Sequence, residues 1–214
     1  MKAFVSWSGG KDGTMAFYKE KENFENYCFL NMIAENNEYS RSHGIKSIFL
    51  KAQADAIGVS IIQKATTWEN YEETYKKALL ELKEKEITHG IFGDIDVQPH
   101  RDWVERVCKE QNINPILPLW KEEREKLIKE FIDSGFKAII VATQKEKLGK
   151  EWLGRKIDYN FITDIKTLDI DVCGENGEYH TFVYDGPIFK KPVEFKIGEK
   201  IEKDKNWFLE IIPA

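Results

Sequence analysis

The stretch that most limits what this chain can become lies at its start. Ala3-Phe4-Val5 is an apolar run of strand character, and Ser6-Trp7-Ser8-Gly9-Gly10-Lys11-Asp12-Gly13-Thr14 follows without a break. Met15-Ala16-Phe17-Tyr18 then opens a helical pattern. A strand, a glycine-rich turn and a helix N-terminus make an anion site. The first N–H groups of a helix lack intrahelical partners, and the helix dipole favours negative charge there. Gly9 and Gly10 let a phosphate approach the backbone closely. Ser8 and Thr14 carry hydroxyls, and Lys11 adds a positive charge. The pattern is not the Walker loop, which puts four residues between its first glycine and Gly-Lys-Ser/Thr, and it is not GxGxxG. Taken alone, the motif could also be a tight strand–helix connection with no ligand.

The rest of the chain repeats the strand-then-helix grammar. Apolar runs of strand length fall at Tyr27–Ile33, Val59–Ile62 and Thr88–Phe92. Helical patterns separate or follow them at Ile48–Ile57, Glu69–Lys85, His100–Gln111 and Glu122–Ser134, and Gly58 is the expected stop of the first. In Glu69–Lys85 the apolar residues Tyr71, Tyr75, Ala78, Leu79 and Leu82 recur at helical spacing, so it packs on one side. Such alternation predicts an α/β fold with a doubly wound parallel sheet, the third strand at an edge and the first central beside the fourth. Ligands of such sheets bind at the C-terminal ends of strands. Met32, at the end of the second strand, and His43, in the polar loop beyond it, are therefore candidates to flank a nucleotide base or ribose. Gly93 and Asp94 end the fourth strand and should stand opposite the phosphate turn.

After Lys137–Ala142 the regularity weakens, which divides the chain into residues 1–142, a nucleotide-binding domain, and 143–214, a smaller C-terminal α+β part expected to bind the substrate. Asp158 to Leu168 reads as a short helix, and Val193–Ile197 and Trp207–Ile212 as strands whose edges a homodimer would cover. Between them, Gly174-Glu175-Asn176-Gly177-Glu178-Tyr179-His180-Thr181 places two carboxylates and a histidine around a turn. Asn176-Gly177 predicts a hairpin, which leaves the flanking acids unexplained. His100-Arg101-Asp102 reads as a helix start with a solvated charge pair.

Composition narrows the class. The 214 residues are 42% hydrophobic and 32% charged, which fits a globular chain with a real core. A net charge of −5 argues against nucleic-acid binding over the whole surface. No apolar run approaches the ~20 residues a bilayer span needs, so no membrane partner is expected. The chain enters a strand within a few residues, so no signal peptide is expected. Cys28, Cys108 and Cys173 are scattered and show no zinc-ligand spacing, which suits a reducing cytoplasm.

Ser8-Gly9-Gly10-Lys11-Asp12-Gly13-Thr14 resembles the SGGxDS signature of the PP-loop ATP pyrophosphatases, with Gly13 in the place of the last serine and the hydroxyl moved to Thr14. The block Gly174–Thr181 resembles the GEGGE(F/Y)ET segment of the diphthine–ammonia ligase branch. Glu151-Trp152-Leu153-Gly154-Arg155, Gln53–Gly58 and Asp185–Phe189 resemble further elements of it. The likeness runs from the first strand to about Phe189. Asn176 and His180 depart from the family pattern, at positions where a substrate would be gripped.

The resemblance implies a PP-loop sheet of the Rossmann-like (HUP) type and an ATP-dependent, amide-forming ligase. A substrate carboxylate, diphthine on elongation factor 2 or another acid, would be adenylated with loss of pyrophosphate, and ammonia would then displace AMP. Ser6, Ser8, Gly9, Gly10, Lys11, Asp12, Gly13 and Thr14 would hold ATP, with Mg²⁺ on Asp12. Lys11, Asp12, Glu175 and Glu178 would be catalytic. Arg155, Glu175, Asn176, Gly177, Glu178, His180 and Thr181 would face the acyl substrate or ammonia, with His180 a candidate proton carrier near neutral pH. Two other readings stay open: a PP-loop tRNA-modifying enzyme, and a non-catalytic ATP sensor of the universal-stress-protein type. AMP formation that depends on an acid, on tRNA, or on neither separates the three.

Overall fold

A computed structural model of the chain describes every residue except Asn37 and Ser42. Those two belong to the polar loop read after the second strand and lie outside the described residues. Five strands, β1 (Lys2–Ser6), β2 (Asn26–Ile33), β3 (Ser60–Ala65), β4 (His89–Ile91) and β5 (Asn114–Ile116), form one sheet in the order β3-β2-β1-β4-β5. All its pairings are parallel. The helices α1 (Lys11–Glu20), α2 (Ser47–Ile57), α3 (Tyr71–Glu84) and α4 (Gln98–Glu110) connect these strands, and α5 (Arg124–Asp133) follows β5. The order places β3 at an edge and β1 between β2 and β4, the arrangement the alternation predicts.

A second, antiparallel sheet holds β6 (Lys137–Gln144), β7 (Tyr179–Asp185), β8 (Phe195–Lys203) and β9 (Asn206–Pro213) in the order β7-β6-β9-β8. A short helix, α6 (Tyr159–Ile165), lies in the long β6–β7 connection and is capped by the Asp158 carboxylate on the Phe161 N–H. Strand β6 continues the alternating grammar in sequence but is hydrogen-bonded in this second sheet. Of the two late strands, β9 is paired on both sides, and β8 alone forms that edge.

Local chemistry explains the element ends. Gly58 takes φ +88° and returns its N–H to the Ala54 carbonyl, closing α2 where a residue with a Cβ would be strained. Thr67 and Asn70 exchange backbone-to-side-chain bonds of 2.8 and 3.1 Å ahead of α3, and the cap residue is Asn70. The hairpin predicted around Asn176-Gly177 does not form. Strand β7 begins only at Tyr179 and pairs with β6, and residues 171–178 make turns. The local signal was overridden by Glu178, whose carboxylate folds inward to accept the Asn176 N–H and side-chain amide, both at 3.0 Å.

Alternate residues of β1 point to opposite faces. Ala3 and Val5 join a core that also contains Phe49, Ile139, Phe182 and Leu209, and Phe4 joins a second core with Leu30, Leu79 and Val107. The first core thus takes side chains from both sheets. Its polar keystone is Gln53, fully buried on α2. The Gln53 carboxamide oxygen accepts the Trp7 indole N–H at 2.9 Å, and its nitrogen donates to the Gly9 carbonyl at 3.0 Å and the Val183 carbonyl at 2.6 Å. The Gly9 carbonyl also accepts the Val183 N–H at 3.0 Å. The glycine turn after β1 is therefore bonded directly to β7.

Replacing Gln53 by Leu strands the indole N–H and the Val183 carbonyl in an apolar interior, at roughly 1–3 kcal/mol for each unsatisfied group. Chemical denaturation should show Gln53→Leu less stable than the parent by about 2 kcal/mol or more. Equal stability would remove Gln53 from this role.

Candidate active site

The turn between β1 and α1 is shaped by two glycines. Gly9 has φ +81°, and a Cβ on it would lie 2.4 Å from Leu50 Cδ2 and 2.8 Å from Gln53 Oε1. A Cβ on Gly10 would fall 2.2 Å from His43 Cε1. Several groups of the turn are already engaged. The Gly10 N–H reaches Ser8 Oγ at 3.3 Å, the Lys11 N–H donates to Thr181 Oγ1 at 3.0 Å, and the Thr14 hydroxyl closes on the Gly10 carbonyl at 2.8 Å. Thr14 is fully buried, so its hydroxyl braces the turn. The N–H groups of Asp12 and Gly13 meet no acceptor among the described residues, as expected of the unpaired first turn of a helix.

A cleft of about 530 Å³ opens beside this helix end, within the range of small-molecule sites. It is lined from four directions: Lys11 and Asp12 on α1, Gly93 and Asp94 after β4, His43 beyond β2, and the segment from Cys173 to Thr181. Gly93 is pressed against the helix start. A Cβ there would stand 2.7 Å from the Asp12 carbonyl carbon and from the Gly13 nitrogen, backbone atoms with no freedom to move aside. Residues separated by some 170 positions thus meet in one cavity.

Its charges are unevenly matched. Lys11 Nζ holds both Asp12 carboxylate oxygens, at 2.9 and 2.8 Å, donates to the Cys173 carbonyl, and stands 5.5 Å from the centre of the Tyr179 ring. Burial alone would pull its ammonium down, but Asp12 first and then its other neighbours hold it well above the ordinary lysine value. Glu175 faces the opposite balance. Burial and the Asp12 carboxylate push its carboxyl up to about 7, so it is half-protonated at neutral pH. Asp94 lies 3.5 Å from His100 Nδ1, and that contact raises the imidazole.

His43 and His180 stack with ring centroids 4.6 Å apart. His43 Nδ1 sits 3.0 Å from the Thr181 carbonyl, which makes it the protonated nitrogen and leaves Nε2 an acceptor. Burial lowers His43 to about 4 and, with His43 beside it, His180 to about 3. Both rings are therefore neutral through the physiological range. The expectation that His180 carries protons near neutral pH fails for this reason.

Not every predicted site residue lines the cleft. Arg155 pairs with Asp164 and stacks on Trp152 at 4.7 Å. Met32 packs in the second core. Glu178 is buried and spends its carboxylate on the loop that carries Glu175. Asn176 and Gly177 do line the cavity, as do His180 and Thr181. Ser6 ends β1 outside the lining, and Ser8 serves the turn.

Sequence reasoning assigned no role to Gln53, Tyr179 or Asp171. The Asp171 carboxylate accepts the Cys173 N–H at 3.1 Å and the Glu175 N–H at 2.6 Å. The first of these is an Asx-turn, which Asp two residues ahead of Cys173-Gly174 could have signalled. Among the described residues no three His, Cys, Asp or Glu side chains group closely enough to hold a metal by themselves, and no helix is long and apolar enough to cross a membrane.

Fold and cleft define a Rossmann-like α/β protein whose glycine turn and helix start are bonded to a second, antiparallel sheet. The chain belongs to the diphthamide synthase family: the model of the diphthamide synthase N-terminal domain matches residues 1–115, and that of the C-terminal domain matches residues 123–212. Among its relatives, diphthine–ammonia ligase of Bos taurus is 36% identical over 132 residues, 59% of this chain and 49% of that protein. The Homo sapiens diphthine–ammonia ligase is 33% identical over 158 residues, 72% of this chain and 54% of that protein. The chain thus matches about half the length of these relatives. A crystal structure from Methanocaldococcus jannaschii, described as a predicted subunit of tRNA methyltransferase, covers 90% of this chain and 100% of its own at 18% identity and a TM-score of 0.48.

Two pH experiments check the electrostatics. Imidazole proton resonances of His43 and His180 should stay at their neutral positions from pH 8 down to about 5; a titration of either near pH 6.5 would refute their depression. For Glu175, the unfolded chain loses the proton near 4.5 and the native protein near 7, so the native state binds more protons between them. Stability from this group is full below about 4.5 and is lost as pH rises to about 7, by on the order of 3 kcal/mol. Glu175→Gln should therefore melt higher than the parent at pH 8 and lose that advantage at pH 4.5. A pH-independent difference would contradict the shifted carboxyl.

Proposed function

We propose that this chain is an ATP-dependent ligase that adenylates a substrate carboxylate, releases pyrophosphate and passes the acyl group to ammonia, with diphthine on elongation factor 2 as the acid. The observation that carries this reading is the meeting of the α1 N-terminus with Glu175 in one cleft. The first residues of α1 and a titratable carboxyl line the same cavity. The relatives named diphthine–ammonia ligase support the choice of acid.

The residues present fit ATP. The free N–H group of Asp12 and the dipole of α1 suit its phosphates. Lys11 supplies fixed positive charge through its pair with Asp12. Mg²⁺ is commonly held by one or two carboxylates together with phosphate oxygens, and Asp12 is the carboxylate that would hold it. ATP supplies the anhydride that turns an inert carboxylate oxygen into a leaving group.

The chain's own part is positioning and proton handling. Gly93 keeps the helix start and the Asp94 wall in contact. The neutral His43 Nε2 is an acceptor near the turn and takes no proton of its own at neutral pH. Glu175, balanced near pH 7, suits removal of a proton from ammonia as it attacks the acyl carbon. The general base must be ionised, so the rate should climb as pH rises through about 7.

The test supplies ATP, Mg²⁺ and ammonium with elongation factor 2 carrying or lacking diphthine. AMP and pyrophosphate should appear only with the diphthine-bearing form, together with conversion of its acid to an amide. Glu175→Gln should lower kcat by about 10²–10⁴-fold and abolish the limb near pH 7. AMP release that requires tRNA instead, or that appears without any acid, would defeat the proposal.

A further inference from the structure

One side chain outside the cleft lining grips both of its walls. Arg124 opens α5. Its Nε and Nη2 fork onto the two oxygens of Asp96 at 2.9 and 2.6 Å, and its Nη1 reaches Asp171 Oδ2 at 2.9 Å. Asp96 lies two residues beyond Asp94, in the loop after β4. Asp171 carries the Cys173 and Glu175 N–H groups, and the Cys173 thiol donates to the Arg124 carbonyl at 3.1 Å. Three distant segments therefore converge on one guanidinium: the strand-end loop with Asp94, the start of α5, and the loop that presents Glu175.

We propose that Arg124 is a positioning residue, which fixes the separation between the Asp94 wall and the Glu175 wall of the cleft. The chemistry of the group explains why an arginine stands here. A planar guanidinium offers five donors in a rigid fork and can hold one carboxylate by two bonds while a third bond takes another. A lysine ammonium keeps the charge but is a point donor on a flexible stem, and it cannot fix the two acids at once. Asp171 is nearly closed off from water. Without Arg124 it becomes an uncompensated carboxylate beside Glu175, and the loop that carries Glu175 must move to rehydrate it. The proposal rests on the ligase reading for its catalytic consequence, and its structural half stands without substrate.

The experiment compares Arg124→Lys and Arg124→Met with Arg106→Met, which removes an equal charge from a fork on Glu72 that does not line the cleft. Amide hydrogen exchange on the full chain reads the loop, and steady-state AMP release with ATP, Mg²⁺, ammonium and the diphthine-bearing factor reads the reaction. In both Arg124 variants, exchange across residues 171–177 should quicken by about tenfold or more, and kcat should fall by about 10–100-fold, the usual loss when a supporting partner is removed. The KM for ATP should change by less than about threefold, and Arg106→Met should alter neither kcat nor the loop. Loss of mere stability would instead quicken exchange throughout the protein and spare Arg124→Lys. Unchanged loop exchange in Arg124→Met, or parental kcat in Arg124→Lys, would overturn the proposal. If the unsubstituted chain forms no AMP with this acid, the ligase reading fails while the exchange data still decide the role of Arg124.

Discussion

Everything the cleft does depends on one buried amide. Gln53 joins the indole of Trp7, the carbonyl of Gly9 and the carbonyl of Val183, and through them the first sheet, the glycine turn and the second sheet. With β7 fixed in that place, Thr181 can cap the Lys11 N–H with its hydroxyl and orient His43 with its carbonyl. The glycine turn is thus held from outside by strands that come late in the chain. The aromatic stack of Trp7 on Phe29, at 4.0 Å and 2° between planes, adds a flat apolar floor beneath the same joint. A polar group this deep is tolerable because it wastes neither its oxygen nor its nitrogen.

The cleft divides its titratable groups by environment. Lys11 is buried yet charged, because its counter-charge is adjacent. Glu175 is largely buried and crowded by carboxylates, so it keeps its proton to about neutral pH. The two stacked imidazoles are buried, and burial holds them neutral. Three residue types thus occupy protonation states displaced from their solution habits within one cavity, which is the pattern that pairs acid and base roles in catalytic sites. For the ligase reading, this sets a charged anchor for phosphate chemistry apart from a group balanced for proton transfer.

Much of this architecture was legible in the residues. The alternation of apolar runs and helical patterns predicted the parallel sheet and the place of β1 within it. Gly9-Gly10 before an amphipathic helix predicted the turn, and the strand-end position of Gly93-Asp94 predicted that they would face it. What failed, failed where side-chain partners and packing, rather than local spacing, decide. Asn176-Gly177 carries a hairpin signal, but Glu178 found acceptor work inside the loop and ended the strand before it began. Arg155, in a motif dense with glycine and tryptophan, pairs with Asp164 one turn-rich segment later. Gln53 looked like any polar residue of α2 because three of its bonds go to atoms 44 to 130 positions away. The neutrality of His180 comes from its burial and then from His43 beside it, which no spacing along the chain encodes.

The bond from the Lys11 N–H to Thr181 spans 170 positions of sequence, and this has a temporal consequence. At ribosomal speeds of about 5–20 residues per second, the glycine turn is made roughly ten to thirty seconds before the hydroxyl that caps it. During that interval the parallel strands can already assemble, while the buried ammonium lacks the Cys173 carbonyl and the Gly9 carbonyl lacks the Val183 amide. A nascent chain therefore carries its glycine turn in an unfinished state, and the turn is completed only when the last antiparallel strands dock onto the earlier half.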